Sequence, residues 1–149
     1  MTMKAKRYRY HAFISNNSND AGWARKLAQC LRQKGLRIFD EASIKYGADI
    51  PFTIENGIKS SRHVILILTP RALSSEWVAL ETSLTLSRDP HSAARTLIPV
   101  LREDCEIPLR LQRIKYLDAR SEDFDSQLDG LLDSIDISAV CEPQAEEVS

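Results

Sequence analysis

Val64-Ile65-Leu66-Ile67-Leu68, closed by Thr69-Pro70, puts five apolar residues in succession with no charge among them. A strand wet on one face alternates apolar and polar residues. An unbroken apolar run ended by a turn signal instead predicts a strand covered on both faces, as in a parallel sheet. The neighbouring segments agree. Upstream, Tyr8-Arg-Tyr-His-Ala-Phe-Ile-Ser15 begins in alternation and turns apolar, and Leu36-Arg-Ile-Phe39 is a shorter strand ending at Asp40. Downstream, residues 96–101 predict a fourth strand and residues 113–117 a weaker fifth. Pro99 lies within the fourth; proline has no ladder donor, so an edge strand or a bulge is expected there.

Helical periodicity fills the gaps. Over residues 20–34, Ala24, Leu27, Ala28 and Leu31 recur at i, i+3, i+4 and i+7, and Lys34-Gly35 suits the end of that helix. A second helix is expected over 50–60, with Pro51 tolerated in its first turn. A third covers 75–88, and a last one, 122–135, carries Phe124, Leu128, Leu131, Leu132 and Ile135 on one side. Strand–helix alternation predicts an α/β fold: a flavodoxin-like open parallel five-stranded sheet, order 2-1-3-4-5, with helices on both faces. Ligands of such sheets bind beyond the carboxyl ends of the strands. That directs attention to residues 15–20, 40–49 and 69–77.

The 149 residues make about one domain. With 43% hydrophobic and 28% charged residues, the chain is neither disordered nor a low-complexity or disulfide scaffold. The net charge is −1, from 20 basic and 21 acidic residues. The only basic cluster is Lys4, Lys6, Arg7 and Arg9, too small to neutralise a run of phosphates, so no nucleic-acid contact is expected. Cys30, Cys105 and Cys141 form no CxxC pair, which argues against zinc and fits a reducing compartment. No apolar leader opens the sequence and no run is long enough for a membrane span, so a cytoplasmic location without membrane contact is expected. The expected organisation is a basic lead over 1–7, a folded domain over 8–136, and an acidic tail over 137–149 that could join a further domain.

Within the third helix, Glu81 is the only ionisable side chain between Trp77 and Ser87. Trp77, Leu80, Glu81 and Leu84 share the i, i+3, i+4, i+7 spacing of one face. A carboxylate on such a face is either a salt-bridged or exposed acid on a frayed helix, or one kept for a cationic or polyhydroxylated ligand beside a stacking tryptophan. The spacing leaves both open. Other chemistries fall away. Asp20, Asp40 and Asp49 do not make a response-regulator pocket, because Ser15-Asn16 and Thr69-Pro70 stand where its acids belong. GxGxxG and Walker loops are absent. His11 and His63 sit in or beside strands and read as structural. No histidine pairs with a Ser or Cys as in a nucleophilic triad, and no metal site is expected.

Tyr10-His-Ala-Phe-Ile-Ser15 resembles the first signature of Toll/interleukin-1 receptor (TIR) domains, with His11 in place of the usual Asp. Gly35-Leu-Arg-Ile-Phe-Asp40 and the polar loop to Gly47 are similar to the second signature and its BB loop, with Tyr46 where Pro is common. Ser60-Ser-Arg-His-Val-Ile-Leu-Ile-Leu-Thr-Pro70 and Leu73-Ser-Ser-Glu-Trp-Val-Ala-Leu-Glu81 resemble the third strand and helix of bacterial, NAD-cleaving members. The resemblance spans about residues 8–135.

It implies an NAD⁺ nucleosidase that breaks the nicotinamide–ribose bond, giving nicotinamide and ADP-ribose or a cyclic ADP-ribose isomer. NAD⁺ would be substrate, with no separate cofactor. The family's catalytic Glu lies four residues after a Trp, which matches Glu81 and Trp77. Ser15, Asn16, Asn17 and Ser74 are expected to bind substrate or cap the helix beside it. Activity in the family requires TIR–TIR association through the BB loop, here Ile44, Tyr46 and Gly47. Partners implied are therefore NAD⁺, further TIR copies as an oligomer or filament, and a fused sensor domain, in a setting of antiphage immunity. The competing implication is a non-catalytic adaptor that signals by homotypic contact.

Overall fold

A computed structural model describes residues 8–139. The five strands are β1 (Tyr10–Ser15), β2 (Ile38–Phe39), β3 (Ser61–Leu68), β4 (Leu97–Leu101) and β5 (Leu117–Asp118). They form one all-parallel sheet in the order β2-β1-β3-β4-β5, the order expected from the alternation. The helices are α1 (Ala21–Gln33), α2 (Ile50–Lys59), α3 (Pro70–Leu73), α4 (Glu76–Arg88), α5 (Leu109–Gln112) and α6 (Phe124–Ser134). The basic lead and residues 140–149 lie outside the described residues.

Strand period divides the core into two layers. Ala12, Ile14, Ile65, Ile67, Ile98 and Val100 face α1 and α6, meeting Leu27, Leu31, Leu128 and Leu131. Phe13, Val64, Leu66, Leu68, Leu97 and Leu101 face the other side, against Ile54, Ile58, Val78 and Leu111. β3 is covered on both faces, which is why residues 64–68 carry no polar interruption. The strand also starts earlier than its apolar run, at Ser61. Its polar residues are satisfied internally: Ser61 Oγ donates to the Gly57 carbonyl at 2.6 Å, and His63 Nε2 accepts the Asp136 N–H at 3.0 Å. His63 Nδ1–H then donates to the Arg95 carbonyl at 2.8 Å. His11 accepts the Arg37 N–H at Nδ1, which leaves Nε2–H for the Ile137 carbonyl at 3.1 Å. Both histidines are buried and neutral; burial pushes His63 down to about 4. They are structural, and they hold the 3₁₀ turn Ile137–Ala139 against the sheet.

Two expectations need correction, and a third gains a detail. β4 is an interior strand, so Pro99 is not on an edge; it pairs in register with Leu66. Its missing donor costs nothing. The Thr96 carbonyl points to β3 and the Leu101 carbonyl to β5, where each accepts an N–H. Alternation puts Pro99 nitrogen on the β5 side, and β5 begins only opposite Val100. The fifth strand covers Leu117–Asp118 rather than residues 113–117, because Leu109–Gln112 winds into α5 and the chain reaches the sheet late. Finally, Thr69-Pro70 opens a short helix. Thr69 Oγ1 accepts the Ala72 N–H at 3.1 Å, and proline at the first helical position loses no bond. Among the described residues no helix is long and apolar enough to cross a membrane.

Candidate active site

Residues at the carboxyl ends of β1 and β2 and along one side of α4 surround a cleft of about 440 Å³, a size typical of small-molecule sites. Phe39, Ile50 and Ile54 form an apolar wall. Asn16, Asn17 and Ser18 come from the turn after β1, Ser75, Trp77 and Glu81 from α4, and Asp40, Glu41, Lys45, Tyr46 and Gly47 from the loop after β2.

α4 is oriented by Ser75, whose Oγ accepts the Val78 N–H at 3.2 Å. Its buried stripe is Val78, Glu81, Thr82 and Thr85. Leu80, expected on the inner face, is 45% exposed, while Glu81 is 2% exposed. The helix therefore turns a polar stripe inward. It can do so because Thr82 and Thr85 return their hydroxyls to the Val78 and Glu81 carbonyls, both at 2.8 Å.

Glu81 Oε1 accepts the Ser15 hydroxyl at 2.6 Å. Among the described residues no other group is hydrogen-bonded to its side chain and no cation pairs with it. Burial is the main reason its acidity weakens, with pKa pushed up to about 7. The Ser15 bond opposes the shift, and the negative charge of Glu41 adds to it. A carboxylate held this way, at the wall of a cleft, is a candidate functional group.

The turn after β1 is tied down from below. Asp20, 7% exposed, accepts the Thr69 hydroxyl at 2.6 Å and Arg71 Nε at 3.0 Å and Nη2 at 2.6 Å; Arg71 also meets Glu103. Asn17 Oδ1 accepts the Asn19 N–H at 2.9 Å. The loop after β2 is anchored at both ends. Asp40 and Ser43 make reciprocal bonds, Arg32 Nη2 donates to Asp40 at 3.2 Å, and Asp49 Oδ1 accepts the Phe52 N–H at 3.0 Å. Between the anchors the Ala48 N–H donates to the Lys45 carbonyl at 3.1 Å, and Gly47 has φ +87°. A type II turn demands a positive φ at its third residue and favours proline at its second, the place Tyr46 takes. Tyr46 is fully exposed at the tip.

Of the residues expected from sequence, Glu81, Asn16, Asn17, Trp77, Ile44, Tyr46 and Gly47 line the cleft. Ser15 lies behind it, spent on Glu81. The capping hydroxyl that reaches the cleft is Ser75's; Ser74 is exposed and donates to the Pro70 carbonyl at 3.1 Å. Glu41 and Lys45 were not singled out in the sequence; their only signal was membership of the loop that follows a parallel strand. Phe39, Ile50 and Ile54 of the apolar wall belong to β2 and α2. Among the described residues no group of His, Cys, Asp or Glu is arranged to hold a metal ion.

A family model described as "TIR domain" matches residues 12–132. NAD(+) hydrolase TcpA of Theionarchaea archaeon is 30% identical over 95 residues, 62% of this chain and 29% of that protein. NAD(+) hydrolase TirS of Staphylococcus aureus is 28% identical over 93 residues, 61% of this chain and 33% of that protein. The chain thus spans a third or less of the length of these curated relatives. Among solved structures, the TIR domain of the Toll-related receptor TRR-2 from Hydra magnipapillata superposes with TM-score 0.70 at 23% identity, over 83% of this chain and 94% of that one.

Proposed function

The chain belongs to the TIR domain family, and from that membership and the buried carboxylate in its cleft we propose that it cleaves NAD⁺ at the nicotinamide–ribose bond, with Glu81 as the catalytic group. The observation that carries the reading is Glu81 itself: 2% exposed, its side chain bonded only to Ser15 among the described residues, and on the wall of the cleft. Its two curated relatives named above are NAD⁺ hydrolases.

The chemistry suits one carboxylate. When the C1′–N bond breaks, its electron pair goes to the ring nitrogen and nicotinamide leaves neutral, so no general acid is required. Positive charge develops at C1′ and the ring oxygen of the ribose. Glu81, ionised and shielded from water, stabilises that charge in the transition state more than in the ground state. Trp77 offers its face to the cationic pyridinium, and Asn16 and Asn17 offer amide donors and acceptors to the ribose and diphosphate. Water then attacks C1′ and releases a proton, giving ADP-ribose. Attack by a hydroxyl or ring nitrogen of the same molecule gives a cyclic isomer.

The test is free nicotinamide measured after concentrated protein is incubated with NAD⁺. Release is expected to rise with pH through about 7, because only the ionised Glu81 stabilises the cation. The profile of kcat/KM reports the free enzyme and that of kcat the complex. The pyridinium lowers the Glu81 pKa, so the kcat midpoint is expected below the kcat/KM midpoint. Ser15→Ala removes the bond that favours the charged form and moves the kcat/KM midpoint upward. An unchanged midpoint would leave Ser15 with no part in tuning Glu81.

Assembly is part of the proposal. Tyr46, Ile50 and Phe52 expose 108%, 53% and 63% of their surface beside the cleft, an apolar patch that fits a second copy. Specific activity is expected to fall on dilution, and Tyr46→Ala to lower it about tenfold or more at a given concentration, on the scale of one interface hot spot. Equal specific activity across dilutions would make each copy self-sufficient.

A further inference from the structure

A second cavity, about 420 Å³, lies at the amino ends of β4 and β5, the opposite edge of the sheet from the cleft. Its walls come from the turn before β4, the segment before β5, and the last turns of α6. Three cations line it, Arg95, Arg113 and Lys115, and no acidic side chain does. None of the three is paired with a carboxylate among the described residues. The two guanidiniums are nonetheless fixed. Arg95 Nη1 donates to the Ser134 carbonyl at 3.0 Å and Arg113 Nη2 to the Pro90 carbonyl, which leaves their remaining N–H groups for a ligand.

Three further features belong to this cavity. Ser92 Oγ, on its wall, is shut off from solvent and has no hydrogen-bond partner among the described residues, an unfavourable state for a hydroxyl. Tyr116 is 41% exposed, and its ring stacks on no described residue. Gly130 sits inside α6, where glycine is less favourable than alanine. An added Cβ would meet only Leu117 Cδ1, at 3.4 Å, so close packing does not demand glycine there. Its bare backbone leaves the wall open.

We propose that this cavity binds a nucleoside phosphate, with the phosphates on Arg95, Arg113 and Lys115 and the flat base against Tyr116. Three cations that share a cavity with no acid on its walls select a multiply charged anion. The apolar floor of Leu97 and Ile114 and the free tyrosine face select a ring attached to it. The site stands apart from the cleft and does not depend on the reaction assigned there.

Backbone amide NMR shifts during titration with ADP, adenosine and inorganic pyrophosphate test this. ADP is expected to move the amides of Ser92, Lys115 and Gly130 with a submillimolar midpoint, and pyrophosphate to move them more weakly. Adenosine, lacking phosphate, should be about tenfold or more weaker than ADP. Lys115→Glu, an exposed change that leaves the core intact, should weaken ADP about tenfold. Tyr116→Ala should weaken ADP about tenfold while leaving pyrophosphate unchanged. The proposal is overturned if those amides stay still at about 5 mM ADP, well above the submillimolar midpoint expected. It is equally overturned if only Asn16, Asn17 and Ser18 shift, or if Lys115→Glu binds ADP normally. Amides that respond to protein concentration but not to ADP would assign the cavity to a second copy instead.

Discussion

Glu81→Gln is expected to abolish nicotinamide release and, in the same protein, to raise its melting temperature above neutral pH. Glutamine matches the carboxylate in shape and keeps an oxygen for the Ser15 hydroxyl, so the cleft is preserved while its charge is lost. Removing a preorganised electrostatic partner from a transition state costs at least about a hundred- to a thousandfold, and Glu81 is the group that faces the developing cation in the proposed reaction. The stability effect follows from linkage. Burial raises the Glu81 pKa from 4.5 to about 7 in the folded protein. Between those values the native state holds a proton that the unfolded state has released, so stability falls as pH rises from 4.5 to 7 and levels off above. The difference is roughly 3 kcal/mol at pH 8. Glutamine avoids it, for a gain of roughly 5–10 °C in a chain of this size. At pH 4 the two proteins should melt together. A variant that melts like the parent at pH 8, or that still releases nicotinamide, would show that the carboxylate is not held charged at cost for catalysis.

Asp20→Ala is the second large effect, and it acts at a distance from the reacting atoms. Asp20 joins the turn that carries Asn16 and Asn17 to Thr69 at the end of β3 and to Arg71 in α3. Its bond with Thr69 is buried at both ends. Losing a buried charge-assisted hydrogen bond costs about 2 kcal/mol, a fall of roughly 4–8 °C; the half-exposed Arg71 rehydrates. The freed turn no longer holds its amides in place, and a displacement of about 1 Å at a positioning group can cost a hundredfold in rate. Kinetics at 25 °C, far below melting, separate the two consequences. Asp20→Asn, which keeps an acceptor for Thr69, should fall between. Loss of stability with unchanged kcat/KM would make the network a brace for α1 alone.

These effects also divide what could be foreseen from what could not. The unbroken run at residues 64–68 and the helical spacing of Ala24, Leu27, Ala28 and Leu31 determine a parallel sheet covered on both faces, because burial of each face is written as local periodicity. The spacing of Trp77 and Glu81 leaves the acid's role open, and the resemblance to TIR domains is what points to it as catalytic. Pro99 misled, because whether a missing N–H matters depends on which neighbour stands beside it, and β5 starts one residue too late to miss that bond. The segment before β5 misled for a similar reason. Its apolar residues serve a short helix and a cavity wall rather than a ladder.

The side-chain pattern along the chain thus set the elements and the α/β class, since periodicity follows from neighbours within a few residues, while topology rules supplied the strand order and the TIR resemblance the candidate acid. Only the folded protein decided that Leu80 faces out and Glu81 in, and that Ser15, 66 residues earlier, is the one group hydrogen-bonded to the Glu81 side chain among the described residues. Hydrogen bonding and desolvation depend on which atoms meet across the fold, and no local spacing encodes that meeting.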